Sequence, residues 1–164
     1  MRHLHRIAIV LLLAALPATP SQALDWQNWN AGLQRAKAAN RPVLVDVYTD
    51  WCGWCKRMDK DVYGRADVSQ YLAAHFVTVR LNAESGETTL YQGRSRPARA
   101  LASAFDVTGY PTTIFLESNG EHLTNVPGYV EADRFLLLLR YIGDKHMERG
   151  EKWEDYVKTA RAGH

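Results

Sequence analysis

Cys52 and Cys55 are the only cysteines in a chain of 164 residues, and they stand three positions apart. One helical turn brings two side chains at this spacing within bonding reach, so the pair can be a dithiol or a disulfide. If a helix begins at the first cysteine, its free N–H groups and positive dipole end stabilise a thiolate there. That lowers the Cys52 pKa from about 8.5 towards 7 or below and makes it a nucleophile at neutral pH. Cys52 can then attack a disulfide and form a mixed disulfide, which Cys55, one turn along and shielded, resolves. Other uses of the pair fit less well. Structural disulfides usually join distant segments and close long loops, and this ring is too small for that work. Structural zinc takes four Cys or His ligands, yet His75, His122 and His146 show no paired spacing. Haem attachment wants histidine directly after the second cysteine, where Lys56 stands. The expected chemistry therefore needs neither a metal nor an organic cofactor.

The flanking segments have the pattern such a pair requires. Val43–Tyr48 is short, apolar and β-branched, which predicts a buried strand leading into the turn Thr49–Cys55, with a helix running on to about Asp61. Asp46 lies within that strand, and an acid between Val45 and Val47 is costly unless it has a partner or a raised pKa. Such perturbation favours a proton-transfer role over a purely structural one. Trp51 either packs under the turn or faces partners, and Trp54, between the two cysteines, is placed for an exposed apolar contact. Upstream, Asp25–Asn40 reads as an amphipathic helix ended by Asn40-Arg41-Pro42. Downstream, helices are predicted at Val68–His75, Pro97–Phe105, Glu131–Ile142 and Glu151–Arg161. Further strands are predicted at Phe76–Leu81, Thr112–Leu116 and His122–Val126, the last pair joined at Asn119-Gly120. Glu84–Gly93 carries no clear pattern. The order of strands and helices describes an α/β protein with a mixed central sheet. Trp26, Trp29 and Trp153 are read as packing residues, and His75 and His122 as ordinary surface or strand-end histidines.

The run Val43-Leu44-Val45-Asp46-Val47 followed by Trp51-Cys52-Gly53-Trp54-Cys55-Lys56 resembles the thioredoxin superfamily. The resemblance covers most of the chain after residue 23. It implies a thioredoxin fold, a central mixed β-sheet flanked by helices, here with extra N- and C-terminal helices. It implies that Asp46 assists proton transfer at the second cysteine. Val107-Thr108-Gly109-Tyr110-Pro111-Thr112 is similar to the family's cis-proline loop, which makes Pro111 the residue facing the cysteines and Tyr110 a donor of backbone to an extended substrate. Trp51, Gly53, Trp54, Tyr110 and Pro111 are thus the candidate substrate-binding residues. Gly53-Trp54 replaces the Gly-Pro of ordinary thioredoxins, and Arg80 stands where many of them have a lysine near the buried aspartate. The Glu84–Ala98 region is longer than in a minimal thioredoxin.

The first 23 residues read as a secretory signal peptide, leaving 24–164 as a single domain. Arg2 and Arg6 precede the apolar run Ile7–Ala15, and Ser21-Gln22-Ala23 is a small-x-small cleavage site. A retained anchor is the alternative, but a spanning helix takes roughly 20 apolar residues and Pro17 interrupts this one early. Removing Arg2 and Arg6 leaves 18 basic residues against 18 acidic ones. Near-zero net charge gives no general attraction to nucleic acid or acidic membranes. Arg94, Arg96 and Arg99 form a local basic run, read as solvated. The expectation is a thiol–disulfide oxidoreductase of the periplasm or extracellular space, reducing cysteine-containing exported proteins. No membrane span is expected after signal cleavage, and a membrane thiol-transfer protein is the expected electron donor. The alternatives are an oxidase or isomerase of secreted proteins, a dedicated assistant in cytochrome or sulfur-oxidation maturation, and a non-catalytic binding module or chaperone.

Overall fold

The computed structural model describes residues 23–162, so the expected signal peptide lies outside the described residues except for Ala23. Four strands form the central sheet: β1 (Val43–Tyr48), β2 (Val77–Asn82), β5 (Thr112–Leu116) and β6 (His122–Pro127). Their order is β2-β1-β5-β6, with β1–β2 parallel and the other two pairs antiparallel. This is the mixed sheet expected from the sequence. A separate hairpin, β3 (Thr88–Tyr91) and β4 (Arg94–Pro97), begins in the stretch that carried no clear pattern and extends to Pro97, which was expected to start the next helix.

Side-chain alternation along β1 builds a core on each face of the sheet. Val43, Val45 and Val47 point into a cluster with α1 (Trp29–Ala39) and α4 (Ala98–Ala104), which supply Trp29, Ala36, Leu101 and Ala102. Leu44 points the other way, into a cluster with α2 (Gly53–Met58), α3 (Ala66–His75) and α5 (Ala132–Gly143), including Met58, Leu72, Phe135 and Leu139. Asp46 therefore faces the α2 side. α2 continues directly into a π-helical turn, Asp59–Tyr63, whose Val62 and Tyr63 join the same core. A final helix, α6 (Trp153–Ala162), packs Tyr156 and Trp153 against Tyr141 of α5. No helix among the described residues is long and apolar enough to cross a membrane.

α1 is shorter than expected. It starts at Trp29 because the Asn28 side chain accepts a hydrogen bond from the Ala31 N–H and caps the helix. Asp25–Gln27 instead runs beside β2, where Gln27 bridges to Val79. Gly32 lets α1 lie close on β2: a Cβ there would sit 2.2 Å from Val79 Cγ2.

The β3–β4 hairpin is fastened to α1 rather than to the main sheet. Asn30 donates to the Thr88 carbonyl at 2.9 Å and accepts from Leu90 N at 2.8 Å, while Trp29 Nε1 donates to Leu90 O at 3.1 Å. Its turn needs positive φ at Gln92 and Gly93. Arg94 and Arg99 are exposed and Arg96 is half-buried, as expected for a solvated basic run.

Candidate active site

Cys52 and Cys55 are joined as a disulfide, with Cα atoms 5.3 Å apart. Cys52 is the N-cap of α2, and its Sγ accepts a hydrogen bond from Cys55 N at 3.1 Å. An N–H aimed at that sulfur favours negative charge on it when the disulfide opens. The two residues are almost equally covered, at 4% and 5% exposed. Shielding of Cys55 relative to Cys52 is thus not seen in this disulfide form; helix position and the N–H contact distinguish the two sulfurs instead.

Around the disulfide stand four aromatic rings. Trp51 and Trp54 are exposed, at 66% and 55%. Trp51 is nevertheless held in place: its Nε1 donates to the Glu84 carboxylate at 3.0 Å, and its ring meets Tyr110 edge-on at 6.0 Å. It does not pack under the turn. Trp54 packs on Tyr129 at 5.5 Å, and the Arg57 guanidinium lies 5.3 Å from the Trp54 ring and 5.6 Å from the Tyr129 ring. The Tyr110–Pro111 peptide is cis. Pro111 is buried, and its carbonyl accepts from Gly128 N at 2.8 Å, joining that loop to the end of β6. Gly53 is exposed, and a Cβ there would meet nothing within 4 Å.

Beneath α2 lies a charge network. Asp46 is buried opposite Arg80 in the β1–β2 register, with Arg80 Nε 3.5 Å from Asp46 Oδ2. The other end of the guanidinium pairs with Asp59 of the π-helical turn, and its flat face covers Trp26 at 4.6 Å. Burial pushes the Asp46 pKa up to about 7; Arg80 opposes the rise and Asp59 adds to it. Among the described residues, Asp46 Oδ1 and the buried hydroxyls of Tyr63, Thr49 and Thr113 make no hydrogen bond of ordinary geometry, though the Tyr63 hydroxyl stands close enough to Asp46 to oppose the rise in its pKa. A carboxyl in this setting exchanges its proton near neutral pH.

This geometry matches a known family. A family model described as thioredoxin-like domain fits residues 29–143. The chain belongs to the thioredoxin-like family. The family is one of thiol–disulfide oxidoreductases with a redox-active dithiol, and in this chain Cys52 and Cys55 form a Cys-x-x-Cys disulfide. The thioredoxin-like domain is 32% identical over 130 residues to the thiol:disulfide interchange protein DsbD of Haemophilus ducreyi, covering 76% of this chain and 21% of that protein. Against DsbD of Tatumella citrea the identity is 33% over 129 residues, covering 75% and 21%. The chain therefore spans about a fifth of the length of these curated relatives. Among solved structures it is similar to a thioredoxin from Thermus thermophilus, with TM-score 0.64 and 27% identity over 79% of this chain and 95% of that one. A thioredoxin-fold protein from Helicobacter pylori shares the fold at TM-score 0.62 and 22% identity, covering 76% and 82%.

In the thioredoxin-like domain, the sequence-predicted residues Trp51, Cys52, Trp54, Cys55 and Tyr110 come together at one surface. Asp46 lies inside the domain on the face that α2 covers. Four residues escaped sequence reasoning. Arg57 carried a weak signal, three residues after Trp54 and so on the same helix face. Glu84, Asp59 and Tyr129 reach the site from separate elements, and no local spacing announces them.

Proposed function

We propose that this oxidoreductase works outside the cytoplasm as a reductase of protein disulfides, with electrons supplied by a membrane thiol-transfer protein. The observation that carries the reading is the buried Asp46 carboxyl, poised near pH 7 on the sheet face covered by the helix that bears Cys55. A reductase must ionise its resolving thiol at neutral pH, and Asp46 is a base suited to that task. Gly53-Trp54 supports the same direction, since no histidine stands between the cysteines. The basic-apolar pattern of residues 1–23 supports export, and the likeness to thiol:disulfide interchange proteins supports a membrane-linked donor.

In this mechanism the reduced pair attacks through the Cys52 thiolate. The substrate S–S bond breaks, one substrate sulfur bonds to Cys52, and the other leaves as a thiolate that takes a proton. Asp46 then accepts the Cys55 proton, and Cys55 Sγ attacks Cys52 Sγ. The mixed disulfide breaks, the second substrate sulfur leaves and is protonated, and the Cys52–Cys55 disulfide of the present structure results. Two electrons and two protons pass to the substrate.

The test is the reduction potential of the pair in dithiothreitol or glutathione buffers. A value near about −270 mV supports a reductase, and a value near about −120 mV makes the protein an oxidant.

A further inference from the structure

A groove of about 630 Å³ lies between β6 and α5, away from the cysteines themselves. One wall is β6, the last strand in the sheet order, so one row of its backbone groups has no strand partner among the described residues. Thr124 and Val126, two apart on β6, line the groove, as alternation on one strand face requires. The opposite wall is largely apolar, formed by Leu138 of α5 with Met147 and Trp153 beyond it. Glu131 and Arg134, of opposite charge, also line it, so the groove favours neither anions nor cations.

Tyr129 connects this groove to the redox site. It lines the groove just after β6 and also packs on Trp54 beside the disulfide. The same end of β6 is bonded to the Pro111 loop through Gly128 N. A chain lying along β6 would thus reach the cysteines without leaving the surface.

We propose that this groove seats an extended segment of the substrate polypeptide as an added strand on β6, with apolar residues at alternate positions facing α5. A free strand edge is satisfied by another extended backbone, and pockets beside it read alternate side chains. A small apolar molecule would use the far wall and leave the β6 edge unused. The inference rests on the oxidoreductase reading above, because it names the class of substrate presented to that disulfide.

The test uses the full mature chain in its disulfide form and a synthetic ten-residue peptide. The peptide alternates serine with Val, Leu or Tyr, ends in lysines and has no cysteine; a control has the same residues without alternation. Backbone amide NMR should show shifts along 123–126 and slowed hydrogen exchange there. The control peptide should bind at least tenfold more weakly, and Leu138→Glu and, separately, Met147→Glu should each weaken binding at least tenfold. No binding, shifts confined to Trp51, Trp54 and Tyr110, or self-association that covers β6 before peptide is added would each overturn the proposal. Because the probe has no cysteine, failure here is separable from failure of the redox reading. The latter is tested by exchange with glutathione disulfide, which both variants should retain within twofold.

Discussion

Asp46 and Arg80 face each other across the parallel pair β1–β2, yet the guanidinium reaches the carboxylate with only its Nε, at 3.5 Å. The rest of Arg80 is engaged by Asp59 and by the face of Trp26. Asp46 is therefore only partly neutralised, which is why burial wins and its pKa rises to about 7 instead of falling below the usual carboxylate range.

Stability should depend on pH through this group. Asp46 binds its proton more tightly in the folded chain than in the unfolded one, so its contribution is fully present below about pH 4 and is lost as pH rises to about 7. The interval from 3.8 to about 7 corresponds to roughly 4 kcal/mol at most. Asp46→Asn should leave stability at pH 4 nearly unchanged and raise it by a few kcal/mol at pH 8, measured by denaturant unfolding.

The same substitution should slow exchange. Asp46→Asn is expected to lower the rate of disulfide reduction at pH 7 by about a hundredfold or more, within the range of about 10²–10⁴ that a general base contributes. The rise in rate with pH centred near 7 in the parent should disappear. Asp59→Asn should keep the rise but move its midpoint downward, since Asp59 adds to the Asp46 shift. Stopped-flow reduction of a protein disulfide across pH 5–9 checks both.

The two cysteines should fail differently. Cys52→Ser should abolish exchange, because it removes the sulfur that accepts the Cys55 N–H and makes the first attack. Cys55→Ser should still attack but should accumulate a stable mixed disulfide with substrate. Non-reducing electrophoresis and mass spectrometry distinguish the outcomes.

Trp54→Ala should raise KM for a protein disulfide by about fivefold to tenfold, as the exposed ring that packs on Tyr129 and under Arg57 is lost. Exchange with glutathione disulfide should change by less than about twofold. An equal loss with both substrates would mean that the ring serves the disulfide itself.

Glycine positions give a paired stability test. Gly32→Ala must push α1 off Val79 and should cost about 1–3 kcal/mol. Gly53→Ala meets nothing and should stay within about 0.5 kcal/mol. Denaturant midpoints read both.

What the sequence could reveal follows the reach of its signals. β1, the cysteine pair and the Tyr110-Pro111 loop were legible because each is a local pattern: a β-branched run, a fixed spacing, an X–Pro bond. The start of α1 was misread because Trp26 and Trp29 fall at helical spacing, while Asn28 provides the actual cap and Gln27 joins β2. The β3–β4 hairpin was illegible because Gln92, not an Asn or Gly, takes the first left-handed turn position and Arg-Ser-Arg-Pro lacks an apolar face. Glu84 on Trp51 and Asp59 on Arg80 are products of tertiary packing, and nothing nearby in the chain encodes them.

The alternation of β1 has a further consequence, for how the chain finds its sheet. Sliding β1 by a single residue would turn Asp46 towards Val79, Ile114 and Leu101, which belong to a buried apolar cluster. One of the neighbouring valines would meanwhile take the place of Asp46 beside Arg80. A lone carboxylate in a run of valines is thus a proofreading mark, since it penalises every odd-numbered misalignment of the first strand before a single electron has been moved.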